Sequence, residues 1–550
     1  MPLFSLFNTG LLILACSWAY VLLWLLVTMV INPIRSPLRN LPGPPLKSLM
    51  PGSGNLPAVL SSTASPTTHE KYVKAYGKTF RIYGFGHFDE RLLTLDPKAM
   101  AHILNSPSVY EKPWQSQRLI NGLIGPGLLS SEGARHRLQR KVLNPAFSNQ
   151  SMKSHAPLVM SKARELRHRW LEITANLELS GGLDVIHWMT RATFDIIGLA
   201  GFDYSLNAIE NEDNELYLAY KAMFDSAINR GQSLRSIASI FFPIIDRIWP
   251  SEAVLTIRKS HKIIYGLGNQ LVQKEKQEAI QHGKDEDKNK KSILSLLMKS
   301  NLSEANPSQR IADRDIMDQI NTFFFAGTDT TSLALGWTFL LLAQNPEMQT
   351  KLREEIHSVS HSYENDDSVD TDFSIIDNLP YLDKVTRESL RVIPPIHSSL
   401  RVACRDDVIP TQFPVKMKDG SETHSVPIRQ GQFVHVSVEP FNQDKTVWGE
   451  DAWEFKPDRW DNLPEAVRGL PCVYSNIMTF LGGPRACIGF RLSIIEIKTF
   501  IYVLIAAFTF EPVPDLQIIK LNVVLTRPYV KGKVRQGSQL PLIVRPYHPA

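Results

Sequence analysis

Cysteine is scarce in this 550-residue chain, which holds only Cys16, Cys404, Cys472 and Cys487. Four thiols, one of them in an apolar N-terminal run, make a poor disulfide framework and point to reducing surroundings. A zinc site at Cys487 is excluded because no second Cys or His stands near it at ligand spacing. Excess charge is lacking too. The formal net charge is +5, and no basic stripe with interleaved aromatics occurs, which speaks against a nucleic-acid partner. There is no internal repeat, low-complexity tract or Gly/Ser linker inside the body, so a large single domain stays open although length alone would suggest about three domains. No glycine-rich dinucleotide fingerprint follows a strand, and so the chain carries no nicotinamide or flavin domain of its own.

What is present begins with Leu11 to Ile31, a run with no charged side chain. A bilayer core needs about 20 helical residues, so this run can span it. A cleaved signal peptide would want a basic start and a shorter core, and the first ten residues hold no charge. Arg35, Arg39 and Lys47 follow the run, which places the body in the cytosol and the N-terminus in the lumen. Residues 1–31 are therefore expected to be a lumenal end and a single-pass anchor, and residues 32–50 a basic, Pro-rich linker. In that linker the prolines and Gly43 of LPGPP, Leu41 to Pro45, make a stiff elbow.

Helical periodicity dominates from about residue 150 to 350. Leu166, Trp170, Ile173 and Leu177 form one stripe, and Ile311 to Gln344 holds another. The charged run from Lys274 to Lys291 reads as a solvated helix end and loop. Strands are expected over Phe413 to Val436, about a turn at Asp419-Gly420, and in a second hairpin over Leu521 to Val544. The fold class is mainly α with a minor β portion. Asn-x-Ser sites at Asn149 and Asn301 would stay unglycosylated in a cytosolic body.

Cys487 lies in FLGGPRACIGF, residues 480–490. A single buried cysteine is usually a small hydrophobe. Here Gly482, Gly483 and Gly489 let backbone pass close to a flat object and leave amides free to point at a sulfur. Arg485 offers a cation for a carboxylate, and Phe480 an aromatic wall. A dry thiolate among amide donors suits an axial ligand of haem iron. A nucleophilic cysteine would want a placed histidine, and none is local.

At these residues the chain resembles the haem-thiolate monooxygenases called cytochromes P-450. Their signature Phe-x-x-Gly-x-Arg-x-Cys-x-Gly is matched by Phe480, Gly483, Arg485, Cys487 and Gly489. Chance would produce five such matches on the order of once in 10,000 chains of this length, so the pattern is specific. ESLR resembles the family's Glu-x-x-Arg helix, in which Glu388 and Arg391 share a face. FKPDRW supplies Pro457 and Arg459, and the resemblance implies a buried network of Glu388, Arg391 and Arg459. AGTDTT, Ala326 to Thr331, is similar to the central helix over the haem, with Thr330 and Asp329 as catalytic groups that handle oxygen and protons. GARHRLQRKVLNPAF resembles the helix that holds a haem propionate. His136 stands where a Trp is common, and Arg140 keeps its place. PPIHSSLR puts Arg401 at a further propionate position.

The resemblance runs from LPGPP to the last hairpin and implies a P-450 fold over residues 51–550. It implies one haem b with Cys487 as the sole iron ligand, and His136, Arg140, Arg401, Phe480, Arg485 and Gly489 around the cofactor. It also implies insertion of one atom of O2 into a small lipophilic substrate. NADPH serves indirectly, through a separate flavoprotein reductase in the endoplasmic reticulum membrane. Arg137, Lys141, Lys456, Arg491 and Lys498 are candidates for a basic docking face, against the alternative of scattered solvated cations. Phe324, Ala326, Ser398, Ser399, Leu400 and Thr526 (the last within Thr526 to Tyr529) should line the pocket by motif position. Ile237 to Ile245 caps its entrance near the membrane or forms a core helix. His136 and WGEDAWEF are similar to fungal members of secondary metabolism, which suggests a terpenoid or steroid-like substrate. Two other readings stand beside this one: a haem-thiolate isomerase or dehydratase acting on peroxides, and a membrane haem carrier. Thr330 and the unaltered cysteine loop disfavour the isomerase, and Asp329-Thr330 would serve no purpose in a carrier.

Overall fold

The computed structural model describes residues 15–46, 48, 52, 54–176, 181–229, 234–281, 292–303, 310–360 and 372–548. Contacts divide the chain into two units. One holds residues 1–111 and 398–441, and the other residues 112–397 and 442–550. Helices make up most of the described chain and strands a minor part.

The first unit carries the N-terminal helix, Ala15–Arg35, long and apolar enough to cross a membrane and with no buried residue in its most apolar window. The expected span Leu11 to Ile31 begins outside the described residues, as does Lys47. At its other end the helix runs on past Ile31 through Asn32–Arg35. LPGPP proves to be fastened rather than free. Pro42 O accepts from Arg81 N at 2.8 Å, and a Cβ on Gly43 would stand 1.9 Å from Arg81 O. Only glycine permits that approach.

A five-stranded sheet runs in the order Thr79–Tyr83, Glu90–Thr94, Phe433–Ser437, Ser398–Ala403, Tyr110–Glu111. Only the pairing of Glu90–Thr94 with Phe433–Ser437 is parallel. The expected strands about Asp419-Gly420 appear as Asp407–Lys416 paired with Glu422–Ile428, Gly420 taking φ +85° in the turn. Phe433–Ser437 belongs instead to the larger sheet.

The second unit is built on a central helix, Asp313–Gln344, packed along Val185–Phe202, Glu252–Gln281 and Phe490–Ala507. The apolar stripes predicted from periodicity face the core. Leu166 and Trp170 are fully buried, and Trp170 packs its ring on Phe508 and Phe510 at 5.8 and 6.2 Å. Ile173 is half-buried, and Leu177 lies outside the described residues. The second hairpin is shorter than expected. Ile518–Val523 pairs with Leu525–Val530, whereas Pro541–Pro546 pairs with Phe508–Pro512 and Leu183–Asp184. Asn301 is buried, its amide donating to Ile311 O and accepting from Ile311 N, so burial alone closes that site to glycosylation.

Candidate active site

The cysteine loop is a chain of tight turns. Leu481 at φ +58° and Gly483 at φ +68° reverse the backbone, and Cys487 N closes the loop on Phe480 O at 2.9 Å. Gly489 then caps helix Phe490–Ala507, which starts beside the sulfur. The thiol tip of Cys487 is exposed into a hollow of about 330 Å³ whose walls include Arg140, Phe147, Gly483 and Phe490. The rest of the thiol is hemmed in by protein, and that desolvation raises its pKa. The Gly489 N–H and the charge of Arg140 oppose the rise by favouring thiolate. Cys472 has only the burial, which pushes its thiol up to about 12. Cys404 is half-buried and Cys16 lies exposed on the N-terminal helix. Of the four cysteines, Cys487 alone has an amide and a guanidinium set against its burial. Phe480 is buried behind it, with Tyr474 and Phe490 at 5.6 and 6.0 Å.

Three of the basic residues expected around the cofactor gather in this unit. Arg140 donates to Ala486 O at 2.8 Å and to Asn144 at 3.0 Å. Arg485 donates to Ser131 O at 3.0 Å and pairs with the Glu132 carboxylate, so its cation is engaged within the protein. His136 is buried on helix Gly133–Leu143. Burial first, then Arg485, Lys112, Arg140 and Arg137, push its pKa down to about 3, so the ring is neutral near pH 7. Arg401 belongs to the other unit, on strand Ser398–Ala403, where it donates to Ser399 Oγ at 2.6 Å and Leu400 O at 3.0 Å. Ser398, Ser399 and Leu400 are half-buried there.

On the central helix every residue from Asp318 to Ala343 is buried except Ala326, Gly327 and Thr330. At i, i+1 and i+4 these share one face. Thr330 Oγ1 donates to Ala326 O at 2.6 Å, back-bonding within the helix. Thr331 Oγ bonds Ser493 Oγ at 3.1 Å, tying this helix to the one that follows Cys487.

Two of the named residues on this helix lie off that open face. The Phe324 ring is buried against Phe194 and Phe202 at 5.2 and 4.8 Å. Asp329 turns away from Thr330. Its carboxylate is held by Arg527 at 2.5 Å, and both line a cavity of about 150 Å³ with Tyr217, Tyr220, Lys221 and Asp225. Sequence reasoning held Arg527 only within the run Thr526 to Tyr529 and missed its pairing with Asp329, although it is the one charged residue of the strand Leu525–Val530. Thr526 is buried, with its hydroxyl unpartnered.

Glu388, Arg391 and Arg459 do come together. Arg391 forks onto both oxygens of Glu388 at 2.8 Å, and Arg459 Nε reaches Glu388 at 3.2 Å. Among the docking candidates Arg137, Lys141, Lys456 and Arg491 are exposed. Lys498 is not; it is buried and bonded to Asp377 and Asp383 at 2.8 and 2.9 Å, and it leaves the set. Helices Leu234–Phe241 and Ile244–Ile248 are no core element, because Phe241, Phe242, Ile244, Ile248 and Trp249 stand more than half exposed.

A family model described as Cytochrome P450 matches residues 44–533. Cytochrome P450 monooxygenase 205 of Postia placenta is 38% identical over 542 residues, 96% of each chain. Cytochrome P450 monooxygenase 128 of the same fungus is 36% identical over 527 residues, 94% of each. A protein named ganoderic acid synthetase CYP5150L8, from Ganoderma lucidum, is 33% identical over 550 residues, 92% of this chain and 93% of its own.

Proposed function

Because the chain belongs to the cytochrome P450 family, whose matched relatives are fungal monooxygenases, we propose that it is a membrane-anchored haem-thiolate monooxygenase of fungal secondary metabolism. The observation that carries this is the Cys487 thiol, open to a hollow and held by one amide and one arginine. That donor set fits a haem. Cys487 would take the iron, with Arg140, His136 and Arg485 of the same unit for the propionates and Phe480 and Gly489 shaping the loop. When bound, the haem supplies the activation of oxygen that no side chain can perform.

The remaining chemistry falls to the chain. The Gly489 amide favours thiolate over thiol at Cys487. Phe480 packs on Phe490 at 6.0 Å within the cysteine loop. Thr330 stores a proton on Oγ1, parked on Ala326 O, at the one open face of the central helix. A hydroxyl so placed can pass a proton and take one back, help typically worth about 10² to 10⁴ in rate.

Electrons come from NADPH through a separate reductase docking on Arg137, Lys141, Lys456 and Arg491, which would steer an acidic partner. The helix Ala15–Arg35 anchors the chain in the endoplasmic reticulum membrane with the body cytosolic. In the other unit, Phe241, Phe242, Ile248 and Trp249 are exposed apolar side chains suited to a lipid surface. The substrate is lipophilic, of a terpenoid or steroid-like class.

The test is product formed per NADPH consumed, with a reductase supplied. Thr330→Ala should retain haem and substrate affinity yet release more hydrogen peroxide and less product. An unchanged ratio would make Thr330 a packing residue and reopen the isomerase reading. Cys487→Ala should lose the carbon monoxide band of a thiolate-bound ferrous haem, whereas replacing Cys16, Cys404 or Cys472 should not.

A further inference from the structure

The N-terminal helix is interrupted where it meets the rest of its own unit. Val27–Ile31 is a π-helical turn, closed by Asn32 N donating to Val27 O. Turns of this kind are rare and occur frequently at functional sites. Met29 O within it accepts from His87 Nε2 at 3.0 Å, a bond that needs the His87 proton on that nitrogen. Further along, Ser36 Oγ accepts from Gln432 Nε2 at 2.8 Å. The helix end is thus fastened twice to its unit, and a cavity of about 370 Å³ opens beside it. The walls include Thr28, Asn32 and the capping Ser36 on the helix side, with Glu90, Arg429 and Phe433 facing them.

Two carboxylates line this cavity, and only one is satisfied. Asp89 takes Arg91 Nε on one oxygen at 2.8 Å, and Arg91 Nη2 and Phe85 N on the other at 2.6 and 2.9 Å. Glu90, whose side chain is 6% exposed, takes Arg81 Nη1 on Oε1 at 2.6 Å. Its Oε2 is buried and has no partner among the described residues. A buried carboxylate oxygen is costly to leave so, and it asks for a donor. Arg429 supplies the opposite need. Its backbone N–H is spent on Gln432 Oε1 at 2.8 Å, but the residue is exposed and its guanidinium pairs with no carboxylate among the described residues. The cavity therefore presents an acceptor for a small cation and a cation for an anion. In size it falls among small-molecule sites.

With Ala15–Arg35 as the anchor, depth identifies the ligand. The charge-free run ends at Ile31, and a hydrocarbon core takes about 20 helical residues, so Asn32 to Ser36 stand among the lipid headgroups. Phe85, in the turn that carries His87, and Ile34 on the helix are more than half exposed, apolar side chains suited to a bilayer surface. A ligand at this depth that joins a compact N–H donor cation to an anion is a phosphoethanolamine headgroup. Its ammonium would donate to Glu90 Oε2 and its phosphate would accept from Arg429, each bond charge-assisted. Phosphatidylcholine has the phosphate but no N–H, and phosphatidylglycerol has no cation to offer Glu90.

We propose that this cavity binds the headgroup of phosphatidylethanolamine, Glu90 holding the ammonium and Arg429 the phosphate. Membrane lipid is the source rather than a soluble ester, because the anchor helix itself forms part of the wall. The depth of the site rests on the proposed anchoring by Ala15–Arg35. The unsatisfied Glu90 oxygen does not, and the reaction at Cys487 is not involved.

The experiment uses the full-length, haem-loaded protein in detergent micelles that hold equal amounts of phosphatidylethanolamine, its N,N-dimethyl form, phosphatidylcholine and phosphatidylglycerol. Native mass spectrometry counts the lipid each chain retains. Wild type should retain phosphatidylethanolamine over phosphatidylcholine by about tenfold or more, the worth of a hydrogen bond to a charged group, with the dimethyl lipid between them. Glu90→Gln should bring that ratio close to one. Arg429→Gln, at an exposed position, should weaken retention of both lipids by about fivefold and leave their ratio intact. If Glu90→Gln fails to fold because Arg81 is stranded, the graded loss along the methylated series in wild type decides in its place. No preference for phosphatidylethanolamine in wild type, or one that survives Glu90→Gln, overturns the proposal. Displacement of the lipid by an equal concentration of glycerophosphoethanolamine would make the occupant a soluble ester and overturn the lipid assignment. Retention from micelles needs no bilayer, so a failure of the anchoring appears separately, as protein that does not float with phosphatidylcholine vesicles.

Discussion

Two buried ion pairs sit in the same unit and are built to opposite designs. Glu388 receives Arg391 Nη2 at 2.8 Å, Lys456 N at 3.0 Å and Arg459 Nε at 3.2 Å on one oxygen, and Arg391 Nε at 2.8 Å and Trp460 Nε1 at 3.1 Å on the other. Arg391 spends its remaining donors on Asn442, Ala452 and Glu454 carbonyls. Glu388 and Arg391 are fully sealed from solvent. Asp329 and Arg527 share one bond, Arg527 Nε and the nearby Tyr220 hydroxyl have no protein partner, and a polar cavity lies alongside with room for water. Burial is common to both pairs, so burial does not set what such a pair does. The number of bonds that close around it does. The sealed network locks the loop segment Asn442–Glu454 to helix Pro380–Val392. The pair with a polar flank holds one strand and can yield.

The largest break in this contrast is Glu388→Ala. It strands Arg391 and Arg459 in a dry site and should cost at least about 3–5 kcal/mol, enough to abolish soluble haem-loaded protein. Expression yield with haem content per chain measures it, and near-normal yield would undo the distinction. Arg527→Gln comes next. With a polar cavity on its flank, Asp329 should recover part of its solvation, holding the loss to about 1–3 kcal/mol in denaturant unfolding. A loss equal to that of Glu388→Ala would mean the cavity gives no relief.

Acidity sharpens the contrast further, because His187 lines the same cavity. Burial first, then Arg191 and Lys221, lower its pKa from the ordinary 6.5 to about 4. Between those values the unfolded chain binds a proton that the folded chain refuses. Its contribution to stability is therefore whole above about pH 6.5 and is lost as pH falls toward 4. His187→Gln should flatten that limb of a stability–pH curve, and an unchanged limb would assign the acid sensitivity elsewhere. The smallest effect is expected at Lys456→Ala. Its backbone N–H serves Glu388, while its side chain is exposed beside Asp451 at 3.0 Å. Stability should stay within about 0.5 kcal/mol, while the rate of reduction by the reductase falls at low salt.

These two regions were not equally legible in the sequence. Glu388 and Arg391 are three residues apart on one helix, and local spacing declares such a pair. Cys487, Gly489 and Phe480 sit in one short loop, so their order in the chain is nearly their arrangement in space. Arg527 lies 198 residues from Asp329, and no periodicity links a strand near the C-terminus to the middle of a helix. Phe324 and Ala326 were named together by motif position, which carries no helical phase, and residues two apart point about 200° from each other. Lys498 looked like a surface cation because lysine usually is one; two aspartates from other segments made its burial tolerable. Pro541–Pro546 was read as part of one long hairpin because β-pattern shows that a strand exists and not what it pairs with.

That the central helix between Asp318 and Ala343 is open at Ala326, Gly327 and Thr330 alone has a consequence for descent as well as for chemistry. Elsewhere between Asp318 and Ala343 a changed side chain must be accommodated by packed neighbours, as at Gly336, where a Cβ would stand 2.4 Å from Ile186 Cδ1. Relatives that take different substrates therefore have little freedom to diverge along this helix. New selectivity should accumulate on the C-terminal hairpin and the exposed apolar helices, and a library directed there should retain far more working enzyme than one directed at the helix.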